Sequence, residues 1–167
     1  MQIITGVCCG RPVNVREFGR LVVLSGNSIV PAEKLLYIAQ THTTGGREKG
    51  AARSSHGRLD VRLSMPGGPG TGTNPEQLLA AGWSACFASA MTLEAGRMKI
   101  ALPNDLAITA EVDLNLGGDG YFLRARLNVS LPGIEPEIAK ALIDGAHRTC
   151  PYSKATRGNI EVAITLV

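Results

Sequence analysis

At 167 residues, with 44% hydrophobic and 19% charged side chains, the chain is long enough to bury a substantial core and too apolar to be disordered. A net charge of +3 scattered along the sequence, with no basic arm or set of stacking aromatics, argues against a nucleic-acid partner. Four cysteines are too few for a disulfide-scaffolded secreted fold.

Residues 1–31 carry Cys8-Cys9, Gly10 and Pro12 and one short apolar run at Leu21–Leu24, and they differ from the rest of the chain. They read as an N-terminal extension, partly ordered at best, ahead of a single domain over 32–167. No cationic stretch leads into a continuous apolar run there, so a signal peptide is not expected and the cytoplasm is the expected compartment. Residues 34–44 and 51–64 read as two strands, with Leu59, Val61 and Leu63 on one face, joined by a turn over Gly45-Gly46-Arg47-Glu48-Lys49-Gly50.

The glycine-rich run Pro66–Gly72 lacks the Gly-Lys-Ser/Thr of a phosphate-binding loop and serves as a flexible lead to a helix. Thr73-Asn74-Pro75-Glu76 is a helix start: a Thr or Asn cap, an early proline, and a carboxylate near the positive end of the helix dipole. Residues 77–93 (QLLAAGWSACFASAMTL) approach the length of a membrane span, but Ala, Ser and Gly dominate them and Glu76 and Glu94 bracket them. That composition predicts a buried central helix of a soluble core, and no membrane association.

Beyond it, Ile108, Ala110, Val112, Leu114 and Leu116 alternate with polar neighbours, as do Leu123, Ala125, Leu127, Val129 and Leu131. Gly117-Gly118-Asp119-Gly120 joins these strands as a hairpin. Residues 136–149 carry Ile138, Leu142, Ile143 and Ala146 at helical spacing, and Ile160, Val162, Ile164 and Leu166 form a last strand. The predicted order is β-β-α-β-β-α-β, an α+β fold with mostly antiparallel sheet.

The chemistry turns on Cys86, inside the central helix, and Cys150, at the end of the second helix before Pro151-Tyr152. Each could be an inert core thiol, the ordinary state of a free cysteine. Together they could also be a nucleophile and the thiol that traps its oxidised form. A thiol of ordinary pKa is only about 3% ionised at neutral pH, so full ionisation gains at most ~30-fold. A fast enzyme therefore also needs a group that stabilises charge developing on the substrate. Zinc is a poor fit, since there is no Cys-x-x-Cys and His42, His56 and His147 lack finger-like spacing. A Cys/His hydrolase with His147 as base has no supporting nucleophile motif.

The segments TNPEQLLAAGWSACF (73–87) and CPYSKATRGNIEVAITLV (150–167), with TGGREKG at 44–50 and LPGI at 131–134, resemble the organic hydroperoxide resistance branch of the OsmC/Ohr family. The resemblance runs from about Glu33 to Val167, and the surroundings of Cys150 favour this branch over the OsmC branch. It implies a thiol peroxidase without metal, flavin or other cofactor, built as an intertwined homodimer with sites at the interface, its sheets packed around a central buried helix. Cys86 would be the peroxidatic and Cys150 the resolving cysteine, Arg47 the active-site arginine and Glu76 its partner, with a lipoylated protein as the dithiol reductant.

Trp83, Phe87 and Met91 near Cys86, and Tyr152 beside Cys150, would make an apolar substrate pocket that favours bulky organic peroxides, although such residues are also plain core material. Trp83 stands where the family usually has tyrosine. Glu76 and Cys86 are ten positions apart on one helix, about 15 Å along its axis. Either Arg47 spans that gap or Glu76 arrives from a second chain, and the second is expected. The rival readings are an OsmC-like peroxidase of broader specificity and a non-catalytic redox sensor.

Overall fold

The computed structural model describes residues 34–167, together with the backbone pairing of β1 (Val7–Cys8) with β2 (Arg11–Pro12). The extension expected over residues 1–31, its boundary, and Cys9 otherwise lie outside the described residues. The chain divides into two compact units, Met1–Ile38 and Ala39–Val167.

The second unit opens with a small antiparallel sheet of β3 (Thr41–Thr44), β4 (Ala51–Ser54) and β5 (Asp60–Arg62), in the order β3-β4-β5. Here the local structure differs from expectation in three ways. The strand expected over 34–44 forms only over its last four residues, because its partner β4 leaves the ladder at Ser54, opposite Thr41. The strand expected over 51–64 breaks into β4 and β5 at a turn. There the Gly57 amide donates to the Ser54 carbonyl at 3.0 Å, and Gly57 adopts φ 71°, a conformation glycine reaches without steric cost. The expected turn over 45–50 contains a single helical turn, α1 (Gly46–Lys49).

The long helix α2 (Pro75–Met98) starts as its sequence predicts. Asn74 is the cap, its side-chain oxygen accepting from the Gln77 amide at 2.8 Å, with Pro75 in the first turn. By length and composition α2 could cross a bilayer, but it packs on β6, α3 and α4. Burial of the helix is one-sided. Trp83, Phe87, Ala90, Met91, Glu94 and Ala95 are buried, while Ala81, Ala85, Ser89, Thr92 and Leu93 form an exposed stripe on another face. The centrally placed helix is as expected; its complete burial is not.

Strands β6 (Ala107–Gly117) and β7 (Gly120–Ser130) form the predicted hairpin, with Gly117 opposite Gly120. Helix α3 (Pro136–Thr149) comes next, then a short helix the sequence did not announce, α4 (Pro151–Thr156). The final strand β8 (Glu161–Leu166) lies parallel to β7 and completes a mixed sheet in the order β6-β7-β8. The core joins one face of α2 to Ala125, Leu127, Val129 and Leu131 and to Ala139, Leu142, Ile143 and Ala146. Those residues are the alternating positions of β7, with Leu131 just beyond it, and the apolar stripe of α3.

Candidate active site

The two cysteines, 64 positions apart in sequence, meet. The Cys150 sulfur lies 3.4 Å from the Cys86 sulfur, and both are free thiols. Cys150 sits at the joint of α3 and α4, its amide donating to the Ala146 carbonyl at 2.8 Å and its carbonyl accepting from the Lys154 amide at 3.0 Å. It is fully buried, whereas Cys86 keeps some exposure to solvent. A closure of about 1.4 Å would bring the sulfurs to bonding distance.

Helix α4 is held against α2 by two contacts between neighbouring residue pairs. The buried Trp83 indole N–H donates to the Ser153 hydroxyl at 3.2 Å, and the Tyr152 phenol lies over Gly82. Ser153 and Gly82 were missed by sequence reasoning; a glycine in the middle of a long helix was the available signal for the second. Ser153→Ala is expected to lower stability by about 1–3 kcal/mol, because it leaves a buried indole donor without an acceptor. Chemical denaturation of the reduced protein measures that loss.

Trp83, Phe87 and Met91 have no accessible surface. They back the thiol pair as core residues and do not line an open pocket, which corrects the expectation for these three. Tyr152 retains 40% of its surface and is the one member of that set on the open side.

Burial pushes the Cys86 thiol above its ordinary pKa; the Tyr152 backbone amide, hydrogen-bonded to it, pulls the other way, and the adjacent Cys150 pushes it up further. Burial and Arg157 lower the pKa of His147, and Asp144 raises it in part.

Arg47 and Glu76 form a second cluster. The guanidinium is ion-paired with the Glu76 carboxylate of the same chain, with the carboxylate the more buried partner. Backbone bonds bring these two residues together across 29 positions. Gly50, at the end of α1, accepts from the Leu63 amide at 2.8 Å, and the Ser64 amide donates to the Thr73 carbonyl at 2.9 Å just before α2 begins. A side chain on Gly50 would collide with the carbonyl oxygens of Thr44 and Gly46, so the loop carrying Arg47 tolerates only glycine there. The Arg47 Nε and Glu76 Oε2 atoms are buried without hydrogen-bond partners, leaving the pair with unused capacity.

Along α2, Glu76 stands ten positions, about 15 Å of helix rise, before the Cys86 of the same chain. A cavity of about 600 Å³ opens beside Glu76, lined also by Asn74, Ala80, Val112 and Arg126, and Cys86 is not part of its wall. Among the described residues, no group of three or more His, Cys, Asp and Glu side chains converges as a metal-binding set would.

The chain matches the OsmC-like protein family over residues 68–165. It is 46% identical to the organic hydroperoxide resistance protein of Xanthomonas axonopodis pv. citri, over 80% of this chain and 96% of that protein. Among solved structures it is similar to the organic hydroperoxide resistance protein OhrB of Bacillus subtilis, with a TM-score of 0.75, 38% identity, and coverage of 80% of this chain and 100% of that one. An organic hydroperoxide resistance protein from Legionella pneumophila gives a TM-score of 0.75 at 41% identity, covering 80% of this chain and 98% of that one.

Proposed function

This chain belongs to the OsmC family, on its organic hydroperoxide resistance branch, and from that premise we propose that it is a thiol peroxidase that reduces organic hydroperoxides to alcohols. The Cys86 thiolate attacks the distal peroxide oxygen and the O–O bond breaks. The alkoxide leaves and takes up a proton as the alcohol, and Cys86 becomes a sulfenic acid. The Cys150 thiol condenses with it, forming a Cys86–Cys150 disulfide and releasing water. A dithiol of the lipoyl type, carried on a protein, then reduces the disulfide and is itself oxidised to a cyclic disulfide.

The observation that carries this reading is the 3.4 Å approach of a partly exposed thiol to a fully buried one. An exposed nucleophile meets substrate, and a buried neighbour held against it traps the product. Arg47 supplies the permanent cation and donor fork that a thiolate and a departing alkoxide need, and Glu76 orients it. Because Glu76 stands about 15 Å of helix rise from the Cys86 of its own chain, we assign the ion pair to the Cys86 of a second copy in a homodimer. The exposed stripe of small residues on α2 and the exposed Leu35, Leu36, Tyr37 and Ile38 are surfaces suited to that second copy. The reducing cytoplasm is the compartment in which such a dithiol cycle runs.

Stopped-flow consumption of cumene hydroperoxide with dihydrolipoamide tests the proposal. Repeated turnover is expected, with a Cys86–Cys150 linkage in the mass spectrum of the peroxide-treated protein. A reaction that stops after one equivalent per chain would instead identify a sensor. Hydrogen peroxide consumed as fast as cumene hydroperoxide would point to broader, OsmC-like specificity.

A further inference from the structure

Glycine in a helix interior is less stable than alanine, so a glycine deep inside α2 requires a local reason. Two lie in this helix. A side chain at Gly96, near its end, would meet nothing within 4 Å. A Cβ at Gly82 would stand 2.9 Å from the Tyr152 hydroxyl oxygen, 3.3 Å from the ring carbon bearing it and 3.6 Å from the next. Outside the helix's own backbone, the three atoms nearest that missing methyl all belong to one phenol. Gly82 also lies four positions before Cys86, on the same face one helical turn away.

At its other end Tyr152 touches the chemistry, its backbone amide being hydrogen-bonded to the Cys86 sulfur. The residue is thus anchored twice on one strip of α2, by its ring on Gly82 and by its amide on Cys86. It is also covalently two residues from Cys150.

We propose that Gly82 is a positioning residue whose missing side chain seats the Tyr152 phenol, and that this seat holds the Tyr152 amide on the Cys86 sulfur and Cys150 beside it. The inference rests on the peroxidase reading for its functional meaning, since the amide stabilises the thiolate that attacks peroxide. Its physical content, the link between Gly82 and the ionisation of Cys86, is independent of turnover.

The test is the pH profile of Cys86 alkylation by iodoacetamide in the reduced full-length chain, read out by peptide-resolved mass spectrometry. The midpoint of that profile reports ionisation separately from access. Gly82→Ala is expected to raise the midpoint by about one pH unit and to slow alkylation at neutral pH about tenfold. Tyr152→Ala, which introduces no crowding, is expected to raise the midpoint in the same direction. Gly82→Ala combined with Tyr152→Phe removes the oxygen nearest the new methyl group and is expected to recover at least half of the change. A wild-type midpoint in either single variant overturns the proposal, as does a double variant no better than Gly82→Ala. Alkylation needs no peroxide, so absence of turnover in the wild type would refute the peroxidase reading and leave this result standing.

Discussion

Cys86→Ser is expected to consume no cumene hydroperoxide above the uncatalysed background, whereas Cys150→Ser is expected to react once per chain and then stall. The difference arises from the unequal exposure of two sulfurs in contact. Cys86 keeps access to solvent and accepts the Tyr152 amide, so it is the sulfur expected to meet a peroxide. A serine hydroxyl there is not ionised at neutral pH and cannot attack the O–O bond. Cys150 is fully buried, so it is expected to enter the reaction only through Cys86.

In Cys150→Ser the first oxidation therefore survives, but the sulfenic acid has no thiol beside it and advances under excess peroxide to sulfinic and sulfonic acids. Stopped-flow traces give the burst, and intact-mass measurements give gains of two and three oxygen atoms at Cys86. Normal cycling of Cys150→Ser on dihydrolipoamide would refute the resolving role. Turnover in Cys86→Ser would refute the whole scheme.

The second large effect concerns Arg47. Within one chain the Cys86 thiol is held above its ordinary pKa, chiefly by burial, with the adjacent Cys150 adding to the rise. A raised pKa means less thiolate at neutral pH, so reactivity without a nearby cation should rise with pH through that elevated value. Arg47→Gln is expected to show this profile and to slow the first oxidation by about 10²–10³-fold, the usual effect of removing a donor that stabilises developing negative charge. Arg47→Lys should restore only part of the rate, because a point charge lacks the donor fork.

The decisive measurement mixes two inactive proteins. Chains carrying Cys86→Ser and chains carrying Arg47→Gln, unfolded and refolded together, are expected to form mixed dimers in which one site combines an intact thiol with an intact arginine. Random pairing is expected to return about a quarter of wild-type turnover. If Arg47 served its own chain's Cys86, no mixed dimer would gain a site beyond those its chains already lack, and mixing would restore nothing.

Much of the architecture was legible because its signals are local. The cap of α2 depends on Asn74 and a proline one residue later, and α3 spans the residues its apolar periodicity marks. The β6–β7 hairpin arises from two alternating runs around a glycine-rich turn. The first strands depart from expectation where pairing decides: residues 34–40 are as apolar as a strand, yet β4 has already turned away at Ser54. Helix α4 leaves no readable signal because six residues beginning at a proline carry too short a pattern to show a period.

By itself, then, the sequence determined which segments are helix and strand, which faces are apolar, and that two cysteines stand in motifs resembling those of one family. Each depends on neighbours a few residues apart, or on residue identity alone. Only the tertiary structure decided which thiol is open and which is sealed, because exposure depends on what packs above a residue. It showed how Arg47 and Glu76, partners the resemblance implied, meet within one chain through the backbone contacts at Gly50 and Leu63, and it placed Trp83, Phe87 and Met91 in the core in place of a pocket wall. It also showed why Gly82 carries no side chain, since its reason, the ring of Tyr152, is 70 positions away in sequence and in contact in space.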